Sequence, residues 1–511
     1  MIVTTKLGRL EGEALDGVTV FRGVPYAAPP TGELRFRAPA PPAPWTTVRD
    51  ARQFGPTPPQ LLSIMRDLAP QSEDCLHLNV WTPSGPARPR APMPVVVFVH
   101  GGAFVSGAST HPMYDCRQLA LRGGLVVVSF NYRLGALGFA DLGALGEGSF
   151  TADANNGLRD QLAVLHWVRD HIDAFGGDPE QVTLLGQSAG AMTVATLLTL
   201  PQASGRFVRA IAQSGAGHHV TTRAHSAVIA QRMVDALGLG ARDLAQLRTL
   251  PVEAIVKAQA ACLRHTIDVG AAGRPLHNAN MTLLPVVDGE LIAQVPIDAA
   301  REGAGANIPL LLGTNQDEWS FWVFLTDVTK RDLDATGLQR EVETRLPGHG
   351  LAASDFYTSE LARELGRRPA CWEVYCAFET DRIFTLPAAR LAEARTNAAA
   401  ATFMYRFDWT GPLFEGQMGC CHTMEVPFVL GVTDGGFGQL FTGGGDDARA
   451  LSERVMDAWI AFVRGGDPST EHFGNWPRYE RERRATMALR REHGLLRTPS
   501  DAMLQFWSEL I

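Results

Sequence analysis

The sequence predicts an α/β fold: a large, mostly parallel central sheet flanked by helices, with a helical insertion before the last strand. Three observations predict it. Short apolar or β-branched runs recur at Val95–His100, Leu125–Phe130, Val182–Leu185, Ala210–Gln213, Pro309–Leu312 and Phe403–Phe407. Most are continuous rather than alternating, the pattern of strands buried on both faces. Between them lie helical patterns such as Gly157–Phe175, with Leu158, Leu162, Leu165 and Val168 at helical spacing. Strand, helix, strand repetition builds a parallel sheet covered on both sides.

The remaining elements follow in chain order. Val18–Arg22 and Asn79–Trp81, separated by many prolines, read as antiparallel edge strands joined by loops. Ala191–Leu200 continues from Val182–Leu185 as a helix, and Arg406 makes Phe403–Phe407 the weakest strand pattern. Residues 323–400 carry helical patterns and no clear strand, and are expected to be an insertion within one unit spanning 1–511. Ala388–Thr402 is alanine-rich but includes Arg390, Glu393 and Arg395, so a water-facing helix is expected there. Gly435–Gly445 lacks a phosphate-binding pattern and reads as a surface loop. There is no internal repeat.

Composition narrows the partners. The 511 residues are 45% hydrophobic and 20% charged, with a net charge of -8 and pI near 6.0. An acidic chain with no basic run is not built for nucleic acid. No apolar stretch approaches the roughly 18 residues of a membrane span. Met1–Glu11 has no apolar signal core, so a cytoplasmic protein made without export is expected. The seven cysteines are an odd number, and Cys420 and Cys421 are adjacent. That suits reduced thiols better than a disulfide framework or a zinc site.

The chemistry concentrates in two motifs. Gly186-Gln187-Ser188-Ala189-Gly190 directly follows one strand pattern and precedes a helix. This G-x-S-x-G pattern holds a serine on a tight strand-to-helix turn, where small neighbours are needed because the backbone is strained and other chain passes close. Upstream, His100-Gly101-Gly102-Ala103-Phe104 follows Val95–Val99. Acyl transfer turns a carbonyl oxygen into an oxyanion that needs donors already in place. The N–H groups of Gly101, Gly102 and Ala189 are the candidate donors.

Chain order then restricts the partners, because in α/β-hydrolases the nucleophile is followed by the acid and then the histidine. The loop after Pro309–Leu312 ends in Asp317-Glu318, so two carboxylates compete for the acid, one the orienter and the other a solvated neighbour. Of His349, His422, His472 and His493, His422 alone lies in the loop after Phe403–Phe407. His218-His219 reads as an incidental polar pair, and neither an H-E-x-x-H motif nor Cys/His ligand spacing is present. No metal or cofactor is expected.

At this point the chain resembles the type-B carboxylesterase and cholinesterase family along nearly its whole length. The carrying motifs are Phe21-Arg22-Gly23-Val24-Pro25-Tyr26-Ala27, Glu73-Asp74-Cys75-Leu76, His100-Gly101-Gly102 and Asn131-Tyr132-Arg133-Leu134-Gly135. Phe175-Gly176-Gly177-Asp178-Pro179, the serine turn, Asp317-Glu318 and His422-Thr423-Met424-Glu425-Val426-Pro427-Phe428 complete them. The resemblance implies an α/β-hydrolase fold and makes Glu318, not Asp317, the acid. It implies ion pairs Arg22–Glu73 and Arg133–Asp178, scaffold roles for Asn131 and Arg159, and a supporting role for Ser214 beside the acid. The chain also departs from the family. Cys75 is the first cysteine, so the disulfide that animal members close from it is impossible. The loop near Leu62–Gln71 is short for a deep gorge, and Gln187 replaces the glutamate of cholinesterases. These features are similar to a bacterial, para-nitrobenzyl-esterase-like branch of the family.

The implied function is hydrolysis of small neutral carboxylic esters by Ser188, Glu318 and His422 through an acyl-enzyme, by a monomer or homodimer. Amides or carbamates are an alternative substrate class. A non-catalytic recognition protein on the same fold is a remote one, since such relatives typically lack the nucleophile and carry an anchor.

Overall fold

The computed structural model describes residues 1–61, 69–145, 150–263 and 281–510. The core is an 11-stranded sheet among these residues, its strands here numbered in chain order. The first half comprises β1 (Glu13–Leu15), β2 (Val18–Pro25), β3 (His77–Pro83), β4 (Met93–Val99), β5 (Val126–Phe130) and β6 (Gly177–Gln187). The second comprises β7 (Arg209–Gln213), β8 (Leu310–Asn315), β9 (Thr402–Phe407), β10 (Ala485–Leu489) and β11 (Gly494–Arg497). Across the sheet they lie in the order β11-β10-β9-β8-β7-β6-β4-β5-β3-β2-β1. From β10 to β5 the neighbours are parallel. The strands β3, β2 and β1 at one edge and β11 at the other run antiparallel to their neighbours.

The valine runs explain the centre. Val95, Val96 and Val97 pair in register with Val126, Val127 and Val128, and all six are fully buried. β-Branched side chains fit a pleated surface packed on both faces. Each of the six runs read from the sequence is a strand of this sheet, and both N-terminal segments are its antiparallel edge. The helix expected at Gly157–Phe175 runs over Asn156–His171 and tightens into a 3-10 turn at Ile172–Phe175.

Three expectations are corrected. Phe403–Phe407 is not the last strand, because β10 extends the sheet in parallel beyond it and β11 folds back. The β10 sequence, Ala-Thr-Met-Ala-Leu, holds one β-branched residue and sits between charged stretches, so it lacks the run that marks the other strands. Gly435–Gly445 is not a loop throughout, since Gly436–Thr442 is a helix with Phe441 buried. Its glycines bracket the helix, where Gly435 and Gly443 have φ of 77° and 87°. The helix expected at Ala388–Thr402 spans Leu386–Ala394 instead. Beyond it Arg395 turns inward and donates to Gly305 O at 2.9 Å and Ile308 O at 2.7 Å.

The two ion pairs also change partners. Arg22 reaches Glu13 at 2.5 Å, and Glu73 is held by Arg35 at 2.5 Å. Arg133 pairs with Asp160 at 2.6 Å, both buried, whereas Asp178 accepts the N–H of Glu180 at 2.9 Å. Asp160 lies on the helix that packs beside Arg133, a neighbour that only the folded chain reveals. Asn131 does act as scaffold: its Oδ1 accepts from Ser109 N–H at 2.8 Å, and its Nδ2 donates to Pro56 O at 3.0 Å.

Between β8 and β9 the chain is helical: Ser320–Leu325, Ala335–Arg345, Gly350–Leu365, Cys371–Thr380, a π-helical turn Asp381–Thr385, and Leu386–Ala394. Buried Glu379 ties these helices together, taking Arg345 at 2.5 Å and Arg382 at 2.6 Å. A buried carboxylate between two guanidiniums is held by its partners, and removing either would leave a charge in the interior. All seven cysteines are unpaired. No helix among the described residues is long and apolar enough to cross a membrane. The short loop near Leu62–Gln71 lies mostly outside the described residues.

Candidate active site

Every candidate residue lies in a turn or loop that follows the carboxyl end of a parallel strand, where open α/β sheets leave a crevice. Ser188 follows β6 without a spacer and caps the helix Ala189–Leu197. Its φ of 56° and ψ of -126° are strained for a residue bearing a Cβ. The flanking glycines are a steric requirement. A Cβ on Gly186 would come 2.4 Å from the Gly190 carbonyl, and one on Gly190 would come 2.1 Å from Val99 O.

The Gly-Gly loop after β4 lies directly against this turn. A Cβ on Gly101 would approach Gln187 Oε1 to 2.8 Å and Ser188 Cβ to 2.9 Å. Gly102, Ala103 and Phe104 follow with φ of 121°, 52° and 64°, a strained run that Phe104 anchors by full burial. Gly101 thus lies against the serine and Ala189 directly follows it, opening a helix whose first N–H groups have no intrahelical partner.

The three triad candidates form one unbroken chain. Ser188 Oγ is 2.8 Å from His422 Nε2, and His422 Nδ1 is 2.5 Å from Glu318 Oε2. A carboxylate accepts and does not donate, so Nδ1 carries the proton and Nε2 is free to accept from the serine. Glu318 is fully buried, and its other oxygen accepts the Asn315 N–H at 2.8 Å. The remaining histidines lie elsewhere: His349 is half-buried before a helix, while His472 and His493 are exposed. His219 is buried beside Ala216 O, and burial drives its pKa down to about 4. It stays neutral.

Two sequence expectations need revision here. Ser214 is buried, yet its hydroxyl makes no hydrogen bond among the described residues and so does not reach Glu318. The Glu318 oxygen turned away from His422 accepts the Asn315 N–H instead. Asp317, the competing carboxylate, is half-buried and hydrogen-bonded rather than freely solvated. Its Oδ2 accepts the Cys420 N–H at 2.8 Å, and burial of its carboxyl pushes the pKa up to about 6.

Sequence reasoning missed a second layer. Glu425, three residues after His422, is fully buried and accepts from Asn315 Nδ2 at 2.6 Å and Gln213 Nε2 at 3.1 Å. Trp459 donates in turn to Gln213 at 3.1 Å. Burial, and then the charge of Glu318, push the Glu425 pKa up. The imidazole of His422 is also walled by aromatic rings, with Trp322 at 4.8 Å and Phe384 at 5.0 Å between centroids. Phe321 stands at 6.1 Å. The Trp-Ser-Phe-Trp run after Glu318 was the available signal, but the facing Phe384 comes from the distant π-turn. Gln187 places its amide nitrogen 3.4 Å from His422 Nε2. Among the described residues no three His, Cys, Asp or Glu side chains cluster to hold a metal ion.

Known proteins share this arrangement of chain. The carboxylesterase family model matches residues 1–507. The para-nitrobenzyl esterase of Bacillus subtilis (strain 168) is 37% identical over 495 residues, 96% of this chain and 94% of the relative. The phenmedipham hydrolase of Pseudarthrobacter oxydans is 35% identical over 502 residues, again 96% and 94% of the two chains. Among solved structures, a PNB esterase superposes with a TM-score of 0.84 at 36% identity, covering 100% of this chain and 99% of its own. A carboxylesterase of Geobacillus stearothermophilus gives a TM-score of 0.84 at 34% identity, covering 98% of each chain. The fold is therefore that of the α/β-hydrolases, the chain belongs to the carboxylesterase family, and it is a carboxylic ester hydrolase.

Proposed function

We propose that Ser188 is the nucleophile, His422 the general base and Glu318 its orienting acid, in hydrolysis of small neutral esters through an acyl-enzyme. The observation that carries this reading is the hydrogen-bonded chain from Ser188 Oγ through His422 to Glu318. His422 Nε2 takes the hydroxyl proton as Oγ attacks the ester carbonyl. The N–H groups of Gly101, Gly102 and Ala189 hold the oxyanion, and the imidazolium then protonates the departing alkoxide. Water repeats the sequence on the acyl-enzyme, with His422 again as base. Glu318 stabilises the imidazolium at Nδ1, while the flanking rings keep bulk water from the pair.

Gln187 supports the preference for neutral alcohols. It lies beside the serine and offers a dipole where a carboxylate would attract a cation. One charge pair near contact at an effective dielectric of about 20 is worth a few kcal/mol, more than one or two buried methylenes at roughly 0.8 kcal/mol each. The pairing of β8 with β9 across residues 323–400 supports an insertion within one catalytic unit. Seven unpaired thiols fit a reducing, cytoplasmic compartment.

Purified protein assayed on p-nitrophenyl acyl esters and matched anilides tests the reading. Ester turnover well above anilide turnover is expected, and faster anilide turnover would move the substrate class to amides.

A further inference from the structure

We propose that Asp317 is a positioning residue for His422: its carboxylate fastens the histidine loop to the acid loop and so sets the Ser188–His422 distance. The inference rests on the reading of His422 as the base.

The two loops meet along a seam. Asp317 N–H donates to Cys420 O at 3.0 Å, and Cys420 N–H returns the bond to Asp317 Oδ2 at 2.8 Å. Ser320 Oγ donates to Met418 O at 2.5 Å, and Asn315 Nδ2 donates to Cys421 O at 2.9 Å. His422 N–H donates to Glu318 O at 3.2 Å. The residue before the acid is thus fastened to the residue two before the histidine.

Two features make the carboxylate more than one bond among several. Gly419 has a φ of 58°, and a Cβ there would lie 2.3 Å from Asp317 Oδ2. The loop is shaped to receive the carboxylate, and glycine is the residue that permits it. Behind the seam lies a cavity of about 460 Å³ lined by Asp317, Gln417, Gly419 and Asp381. On that side the loop borders open space, and the hydrogen bonds of the seam hold it there.

Arg406, Asp408 and Glu364 are the charged groups that act on Asp317. Arg406 is bound to Asp408 at 2.7 Å and leaves the carboxylate to the Cys420 N–H. With its pKa near 6, Asp317 is ionised at the alkaline pH of an esterase assay, and its bond to Cys420 is charge-assisted.

The test compares Asp317→Ala, Asp317→Asn and Gly419→Ala on a p-nitrophenyl ester, with His422→Ala alongside. A displacement of about 1 Å at a catalytic group costs up to roughly 100-fold. Asp317→Ala should therefore lower kcat at least about 10-fold with KM nearly unchanged. Asp317→Asn, whose oxygen still accepts, should restore most of that rate. Gly419→Ala should mimic the loss, and should cost less when added to Asp317→Ala, which has no carboxylate to displace. If Asp317→Ala does not fold, Asp317→Ser, too short to reach, takes its place. An Ala variant above half the wild-type kcat would overturn the proposal. So would an Asn variant as slow as Ala, or an effect confined to KM. If His422→Ala itself turns over normally, the site reading fails rather than the role of Asp317.

Discussion

Ser188 and His422 meet at a single hydrogen bond, yet the chain delivers them by opposite means. Ser188 stands at the end of β6 on a turn with no spare residue, its glycines touching each other and the neighbouring strand. His422 stands at the end of a long loop that leaves β9 at Asp408 and is fixed from outside by Glu318, Asp317, Asn315 and Ser320. Local sequence is sufficient to build the first. The second depends on side chains from other parts of the fold, and its aromatic wall is shared between a helix and a π-turn. Precision on one side comes from sterics, and on the other from a network.

Substitutions on the two sides should therefore fail differently. The largest effect belongs to Ser188→Ala, which removes the nucleophile and leaves the turn unstrained by any new group. Turnover should fall on the order of 10⁴-fold or more with an unchanged circular-dichroism spectrum. A folded variant retaining a few per cent of activity would place the nucleophile elsewhere. Next comes Glu318→Gln, on the network side. Its amide nitrogen faces Nδ1–H and leaves the imidazolium without a charge partner, so kcat should drop roughly 10³- to 10⁴-fold. A small effect there would mean that the acid is not Glu318.

Gly101→Ala tests the steric side more gently. Its Cβ collides with Gln187 and Ser188, moving one oxyanion donor, and a loss of about 100-fold in kcat is expected. KM should change little, which initial-rate kinetics at varied substrate will check. Gln187→Glu should have the smallest effect on rate with neutral esters. The new carboxylate beside His422 favours the protonated imidazole, so more enzyme is inactive at a given acid pH. The acid limb of kcat/KM should move to higher pH, and butyrylcholine should gain relative to its uncharged 3,3-dimethylbutyl isostere. No movement in either would show that position 187 does not set the local charge.

The same contrast explains what was legible in the sequence. Continuous valine and leucine runs announce buried parallel strands because burial on both faces leaves no polar positions. The serine turn and the Gly-Gly loop are legible because close backbone approach demands glycine at fixed spacing. Chain order pointed to His422 and narrowed the acid to Asp317 or Glu318 once those strands were known, and only the family resemblance chose Glu318; β10 was missed for want of β-branched residues. Arg133 chooses Asp160 over Asp178 through tertiary proximity, which no local pattern encodes. The roles of Asp317, Glu425 and Phe384 were invisible for the same reason, since each is defined by a partner far along the chain.

The most direct test of the account is intact-protein and peptide mass spectrometry after treatment with diethyl p-nitrophenyl phosphate. One diethylphosphoryl group per chain should appear on the peptide containing Ser188, in proportion to lost esterase activity. The label should vanish in Ser188→Ala and form far more slowly in His422→Ala. Labelling of another residue in step with inactivation, or full activity after complete labelling of Ser188, would contradict it.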